Sequence, residues 1–453
     1  MISVMKLSDL QTQLGGELHG DALAANVCID SRSCEKTDLF VALKGERFDG
    51  HDFIENIQHD CAAAIVSDYQ ALELPQLVVK DTLKSLGNIA GLQRQQFDGL
   101  VIALTGSAGK TTTKDMLASI LAERGSVLAT KGNRNNEIGV PLTLFELEND
   151  QQFAVIEMGA AKQGDIAYLC EFTQPNIALV TNALQAHLEG FGSKAVIAKT
   201  KGEIYEKLTA SDIAIINRDS PYYEQWLQQS ASAGCRYNFS LSDQAADVFV
   251  KPISDTKNNA CEIFYGKTSI VVNLALLGQH NIANAAAASA AAIAAGCSLQ
   301  EIKVGLEKLM PTAGRMQLQK ISQQLSIIDD SYNANPEAVK AAIDVLAAVP
   351  EQTTLILGNM AELGEASQAL HQAVGEYADQ CGINQLIAIG PCAEDVAKGF
   401  GENSQAFATI EQYLTMNLPK NHFGMVLVKG SRSAGMERVV KALQALSDNE
   451  EIH

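Results

Sequence analysis

The sequence predicts an α/β chain of three domains built on parallel sheets, and three observations carry that expectation. Its 453 residues exceed what one hydrophobic core organises. Short apolar runs alternate with helical spacing through two long stretches, which is the pattern of parallel strands covered by helices on both faces. The first of these stretches opens on an apolar run over 100–105 that breaks at glycine and passes directly into a helix.

Residues 1–98 form a first unit, in which Cys28-Ile-Asp-Ser-Arg32 precedes a strand over 39–43 and a turn over 45–50. Ser31, Arg32, Lys44 and Arg47 fall in this stretch, and three of them are cations against the trend of the chain. Such a cluster is either a solvated face or a pocket for a phosphate-bearing ligand. Residues 99–312 form a second unit, with strands expected over 100–105, 126–129, 153–157, 177–181 and 213–217. Ligands of such sheets sit at the carboxyl ends of the strands, so Glu157, Asn182 and the nearby His187 should converge on the loop after residue 105. The alanine-rich stretch from Gly278 to Gly296 reads as a tightly packed helix that Gly296 ends. Asn281 and Asn284 lie one turn apart on it, and side-chain amides suit purine edges.

Pro311 to Gly314 reads as a linker to a third unit over 313–453, with strands over 325–330, 354–357, 386–389 and 425–428, each followed by a helix. This is a doubly wound, Rossmann-like pattern, but it lacks G-x-G-x-x-G, so a nicotinamide cofactor is not expected.

Composition narrows the function. With 34 Lys+Arg against 53 Asp+Glu, the net charge of −19 disfavours nucleic acid and anionic lipid as partners. Neither a membrane-spanning run nor a charged, apolar leader is evident, so a cytoplasmic protein without a membrane span is expected. Nine cysteines without a C-x-x-C pair read as reduced, mostly buried thiols, not as a disulfide frame or zinc site. Anionic substrates must therefore be captured by local devices.

One such device is Thr105-Gly-Ser-Ala-Gly-Lys-Thr-Thr112, a phosphate-binding loop (P-loop). Gly106 and Gly109 let the chain turn tightly, so that backbone N–H groups around Ser107 and Ala108 and the start of the next helix face one anion. Lys110 would reach the β- and γ-phosphates, and the Thr111 hydroxyl would bind Mg2+. The spacing is tighter than G-x-x-x-x-G-K-[ST], which would need glycine where Leu104 stands. Glu157 is either a second oxygen ligand for Mg2+ or a cap for the turn after its strand. His187 is either a ligand or a structural histidine. Lys199 and Lys201 point in different directions from one helix, so one faces the site while the other meets solvent. A neutral lysine facing bound metal could take up CO2 as a carbamate.

The phosphate loop, Gly132-Asn-Arg-Asn-Asn-Glu-Ile-Gly-Val-Pro141, Ala186-His-Leu-Glu-Gly-Phe-Gly, Gly278-Gln-His-Asn, Asp329-Asp-Ser-Tyr-Asn-Ala-Asn-Pro336 and Lys429-Gly-Ser-Arg432 together resemble the Mur ligases of peptidoglycan precursor synthesis. The match runs through the chain in order, with Arg134 standing where the family has leucine. The resemblance implies an N-terminal α/β domain for the UDP end of the substrate, a central P-loop parallel-sheet ATPase domain, and a C-terminal Rossmann-like domain for the incoming dipeptide. It implies ATP and Mg2+ as cofactors. The substrates would be UDP-N-acetylmuramoyl-tripeptide and D-alanyl-D-alanine; separately, a monomer is expected.

By matching motifs, Thr105, Gly106, Ser107, Ala108, Gly109, Lys110, Thr111 and Thr112 would hold ATP with Asn281, Arg315 and Asp330. Thr111 and Glu157 would bind one Mg2+ and His187 a second, with Lys201 the carbamylated lysine. Lys110, Lys201 and His187 would serve catalysis. Ser31, Arg32, Lys44 and Arg47, then Asn135 and Asn136, then Asn333, Asn335, Lys429, Ser431 and Arg432 would contact the substrates. The reaction implied is attack of the tripeptide carboxylate on the γ-phosphate to give an acyl phosphate, which the dipeptide amine then displaces. A sister ligase adding another amino acid, and a nucleotide-switched regulatory protein, are the competing readings.

Overall fold

Successive side chains of the strand Leu100–Thr105 enter opposite cores: Val101 and Ala103 join one apolar cluster, Ile102 and Leu104 the other. A strand buried on both faces needs an unbroken apolar run, which is why this stretch carries no polar alternation. The computed structural model describes residues 4–45, 48–184, 193–253, 259–416 and 424–446. His187 and Arg47 lie outside these described residues.

Leu100–Thr105 sits inside a nine-stranded sheet, between Phe153–Glu157 and Ile177–Val180 and parallel to both. Val127–Ala129 closes one side, and Ile213–Asn217, Cys235–Ser240 and Val248–Pro252 extend the other in parallel. The sheet ends in an antiparallel hairpin, Asn259–Tyr265 with Thr268–Leu274, whose turn is made at Gly266 with φ +60°. The parallel sheet expected from the sequence thus carries an antiparallel hairpin at this edge. Its outer strand alternates buried Val272 and Leu274 with exposed neighbours, which one covered face requires. The alanine-rich helix Gln279–Ala294 lies under the sheet against Lys110–Leu121, with alanines 285 to 288 and 290 to 292 buried.

Before this sheet stands one of five strands, ordered Glu17–His19, Gln76–Val78, Ala63–Val66, Asp38–Val41, Asn26–Cys28, all parallel except the first. After it comes a six-stranded sheet, ordered Gln317–Lys320, Leu325–Asp330, Gly424–Lys429, Thr353–Gly358, Gln385–Ile389, Ser404–Phe407. Only its first strand runs antiparallel. In its register Asp330 lies beside Lys429 at the carboxyl ends of adjacent strands, so an acid and a base meet by construction.

Candidate active site

Three neighbouring strand ends set the position of the site. Leu104 pairs with Glu157 and Thr105 with Val180, so the loop leaving Thr105 emerges beside the Glu157 carboxylate and the segment that begins at Thr181. Gly109 adopts φ +75°, and a Cβ there would collide with the Asn284 amide, so conformation and space both demand glycine. Asn182 clamps the loop: its Oδ1 accepts the Ala108 N–H at 2.9 Å and its Nδ2 donates to the Ala108 carbonyl at 3.0 Å. The helix Lys110–Leu121 starts at once and presents its leading N–H groups and positive dipole end to the same space.

That space is a cavity of about 1280 Å³. One wall is the loop from Ser107 to Thr112 with Glu157, and the other is Arg315, Asp330, Tyr332, Asn333, Lys429 and Arg432 of the third unit. Lys110 donates from Nζ to the Gly106 carbonyl at 2.8 Å, and the protein packed around it lowers its pKa, against the pull of Glu157. A phosphate in the loop supplies the counter-charge that desolvation makes necessary. Glu157 is almost fully buried; its Oε2 accepts from Thr111 Oγ1 at 2.8 Å, its Oε1 from Asn135 Nδ2 at 2.8 Å, and its N–H donates to Thr130 Oγ1 at 2.9 Å. The carboxylate therefore faces Thr111 across the loop. A buried carboxylate and a hydroxyl beside a phosphate loop are hard oxygen donors, and that donor set fits Mg2+.

On the helix Lys194–Glu206, Lys199 is exposed while Lys201 is 2% exposed. Burial, then the charge of Lys110, lowers the Lys201 pKa to about 7, so a large neutral fraction is present at neutral pH. Lys201 is not among the residues that line the cavity. Across the cavity, Lys429 pairs with Asp330 and also donates to the Asn333 carbonyl at 3.0 Å. Arg315 donates to Thr111 Oγ1 at 2.9 Å and stacks on Tyr332 at 4.2 Å, with Arg432 near the same ring at 5.6 Å. These contacts tie the third unit to the loop.

Other expected residues take different places. Asn281 and Asn284 line the cavity, but Asn284 donates to Asn281 Oδ1 at 3.1 Å and Asn281 to the Leu277 carbonyl at 2.7 Å, so their amides brace the helix under the loop. Asn335 lines the cavity while its Oδ1 caps the helix Pro336–Ala347 through the Ala338 N–H at 2.8 Å. Asn136 accepts the Gly139 N–H at 2.9 Å. Thr105 and Ser431 turn their hydroxyls to backbone carbonyls, of Met158 at 2.8 Å and Asn359 at 2.7 Å. Arg134 is held by Glu146 at 2.7 Å. Ser31, Arg32 and Lys44 lie away from this cavity; Arg32 is paired with Asp30 at 2.7 Å and Lys44 with Asp49 at 3.4 Å. Sequence reasoning missed Thr130, which follows a short strand with no marker, and Tyr332, whose only signal was its place inside the Asp329–Pro336 motif.

Fold and site together define an α/β nucleotide-loop enzyme whose phosphate loop faces the third unit across a shared cavity. The chain belongs to the Mur ligase family: the Mur ligase middle domain matches residues 104–292, the Mur ligase glutamate ligase domain 314–432, and the Mur ligase family catalytic domain 24–92. It is 44% identical over 451 residues to the UDP-N-acetylmuramoyl-tripeptide–D-alanyl-D-alanine ligase of Escherichia coli (strain K12), covering 98% of this chain and 99% of that one. A crystal structure of MurF from Acinetobacter baumannii superposes with TM-score 0.91 at 34% identity, covering 98% of this chain and 99% of that one. The MurF ligase of Thermotoga maritima, solved in complex with ADP, gives TM-score 0.83 at 27% identity over 94% of this chain and 99% of that one.

Proposed function

We propose that the chain joins the free carboxylate of UDP-N-acetylmuramoyl-tripeptide to the amine of D-alanyl-D-alanine, converting ATP to ADP and phosphate, in the synthesis of peptidoglycan precursors. The observation that carries this reading is the single cavity with a phosphate loop on one wall and the Asn333, Lys429 and Arg432 face of the third domain on the other. Near full-length identity to a ligase of that name supports the choice of substrates.

A carboxylate does not condense with an amine until one of its oxygens becomes a leaving group. Lys110 and the N–H groups of the loop hold the triphosphate, and the tripeptide carboxylate attacks the γ-phosphorus in line as the bond to ADP breaks. Lys110 offsets the charge that gathers on the transferring group. Mg2+ held by Thr111 and Glu157, with a second ion at His187, would neutralise the phosphoryl oxygens. The dipeptide amine then attacks the acyl phosphate, and the tetrahedral intermediate expels phosphate and loses the amine proton to give the amide.

Lys201 enters this reading as a carbamate. Its buried amine with a pKa of about 7 is neutral often enough to take up CO2. The resulting carboxylate would complement Lys110 and the metal.

The three domains of this account run over 1–98, 99–312 and 313–453. The first, with Ser31, Arg32, Lys44 and Arg47, takes the UDP end. In this reading the enzyme works in the cytoplasm as a monomer. Because acyl phosphates hydrolyse, the third domain closes over the other two before chemistry.

The test is ADP release in the presence of UDP-N-acetylmuramoyl-tripeptide while the amine is varied. D-alanyl-D-alanine is expected to stimulate it. Stimulation by a single amino acid instead would make this a sister ligase, and indifference to every amine would leave only a nucleotide switch.

A further inference from the structure

Away from the cavity, the N-terminal sheet gathers three metal-competent side chains at one point. Asn26–Cys28 runs parallel to Asp38–Val41, and the connection between them folds back through turns closed by Ser33 N–H to the Asp30 carbonyl at 3.0 Å and Asp38 N–H to the Glu35 carbonyl at 2.8 Å. This return brings Cys34 beside Cys28 and Asp38. The sulfurs of Cys28 and Cys34 and a carboxylate oxygen of Asp38 all lie within 4.8 Å of one another. Three atoms so placed share a point no more than about 2.8 Å from each, and small side-chain rotations shorten that to the roughly 2.0 to 2.3 Å of zinc–oxygen and zinc–sulfur bonds.

One donor is already oriented, while the Cys28 thiol donates to the Asp30 carbonyl at 3.1 Å, a bond that metal binding would replace. Cys28 and Asp38 are buried, and the Asp38 carboxylate is oriented by the Glu35 N–H at 2.9 Å and by Asn26 Nδ2 at 3.3 Å. Cys34 packs against an apolar cluster that contains Phe40, Ile54 and Cys61, which supplies a low-dielectric wall. Two sulfurs with one carboxylate select a thiophilic ion over Ca2+ or Mg2+. We propose that Cys28, Cys34 and Asp38 form a binding site for a thiophilic divalent cation of the Zn2+ class, with a fourth position open. On binding, each thiol gives its proton to solvent and each sulfur donates a lone pair to the ion; no electron is transferred. The segment pinned between the ligands contains Ser31 and Arg32, so the ion would fix the geometry of that loop.

The experiment uses the full chain, freed of metal by chelator and dialysis. Cd2+ added to one equivalent should produce thiolate-to-metal charge-transfer absorption, and Zn2+ should abolish it by competition. One equivalent of Zn2+ should slow alkylation of Cys34 at least tenfold, read by peptide mass spectrometry, while exposed Cys235 reacts as before. Cys34→Ser should lose the Cd2+ absorption and Cys235→Ser should keep it. No absorption, absorption that survives Cys34→Ser, or equal Cys34 alkylation with and without Zn2+ would overturn the proposal. The alkylation measurement needs no variant, so it stands even if a substitution disturbs folding.

Discussion

At the scale of single residues, the proposed reaction rests on Lys110, Thr111 and Glu157, and the place of each was readable for a physical reason. A lysine at the mouth of a glycine turn and a carboxylate ending the neighbouring apolar strand had to meet, because parallel strands deliver their ends to one edge. Removing a preorganised charge that faces the transferring phosphoryl group costs roughly 100- to 1,000-fold in kcat. Lys110→Ala is therefore expected to lower ADP formation by about that factor in a steady-state assay, with the thermal melt unchanged. Lys201→Ala should be nearly inactive and should regain activity when a short-chain carboxylic acid is added; full unrescued activity would remove the carbamate. What was not readable at this scale was orientation. Asn281 and Asn284 were expected on the purine; both line the cavity, while Asn284 donates to Asn281 Oδ1 and Asn281 to the Leu277 carbonyl. Spacing shows which residues share a face, and hydrogen-bond partners decide what the face does.

At the scale of elements, helix starts and buried hinges set stability. Asn335 accepts the Ala338 N–H as the cap of Pro336–Ala347, so Asn335→Ala should cost about 1 kcal/mol, with Asn335→Asp restoring most of it in a denaturant titration. His371 is buried, its Nδ1 donating to the Ser367 carbonyl at 2.7 Å and its Nε2 accepting the Met360 N–H at 2.9 Å. Burial lowers its pKa below the ordinary 6.5, so the unfolded chain binds the proton first. Stability present at neutral pH is then lost as pH falls below about 6.5, and His371→Gln should flatten that dependence in thermal melts. Strands buried on both faces, such as Phe153–Glu157 and Leu325–Asp330, were legible as apolar runs. The hairpin Asn259–Tyr265 and Thr268–Leu274 was not, because one face is solvated and alternation dilutes the apolar signal.

For the whole molecule, the order of the motifs along the chain revealed the family, while the way the central and C-terminal sheets face each other across one cavity emerged only in three dimensions. Arg315 to Thr111 at 2.9 Å, Thr312 to Asp115 at 3.2 Å and Lys194 to Glu337 at 3.5 Å link elements far apart in sequence, and no local pattern announces such contacts. In the proposed reaction the cavity of about 1280 Å³ beside these contacts would have to be sealed to protect an acyl phosphate. Solution scattering should register compaction when an ATP analogue and the UDP-linked tripeptide are both bound, and an unchanged radius would argue against closure. The most direct measurement of the central claim follows one oxygen atom. With heavy oxygen placed in the terminal carboxylate of the tripeptide, one labelled oxygen is expected in the phosphate released during D-alanyl-D-alanine addition. Unlabelled phosphate accompanying the same product would contradict it.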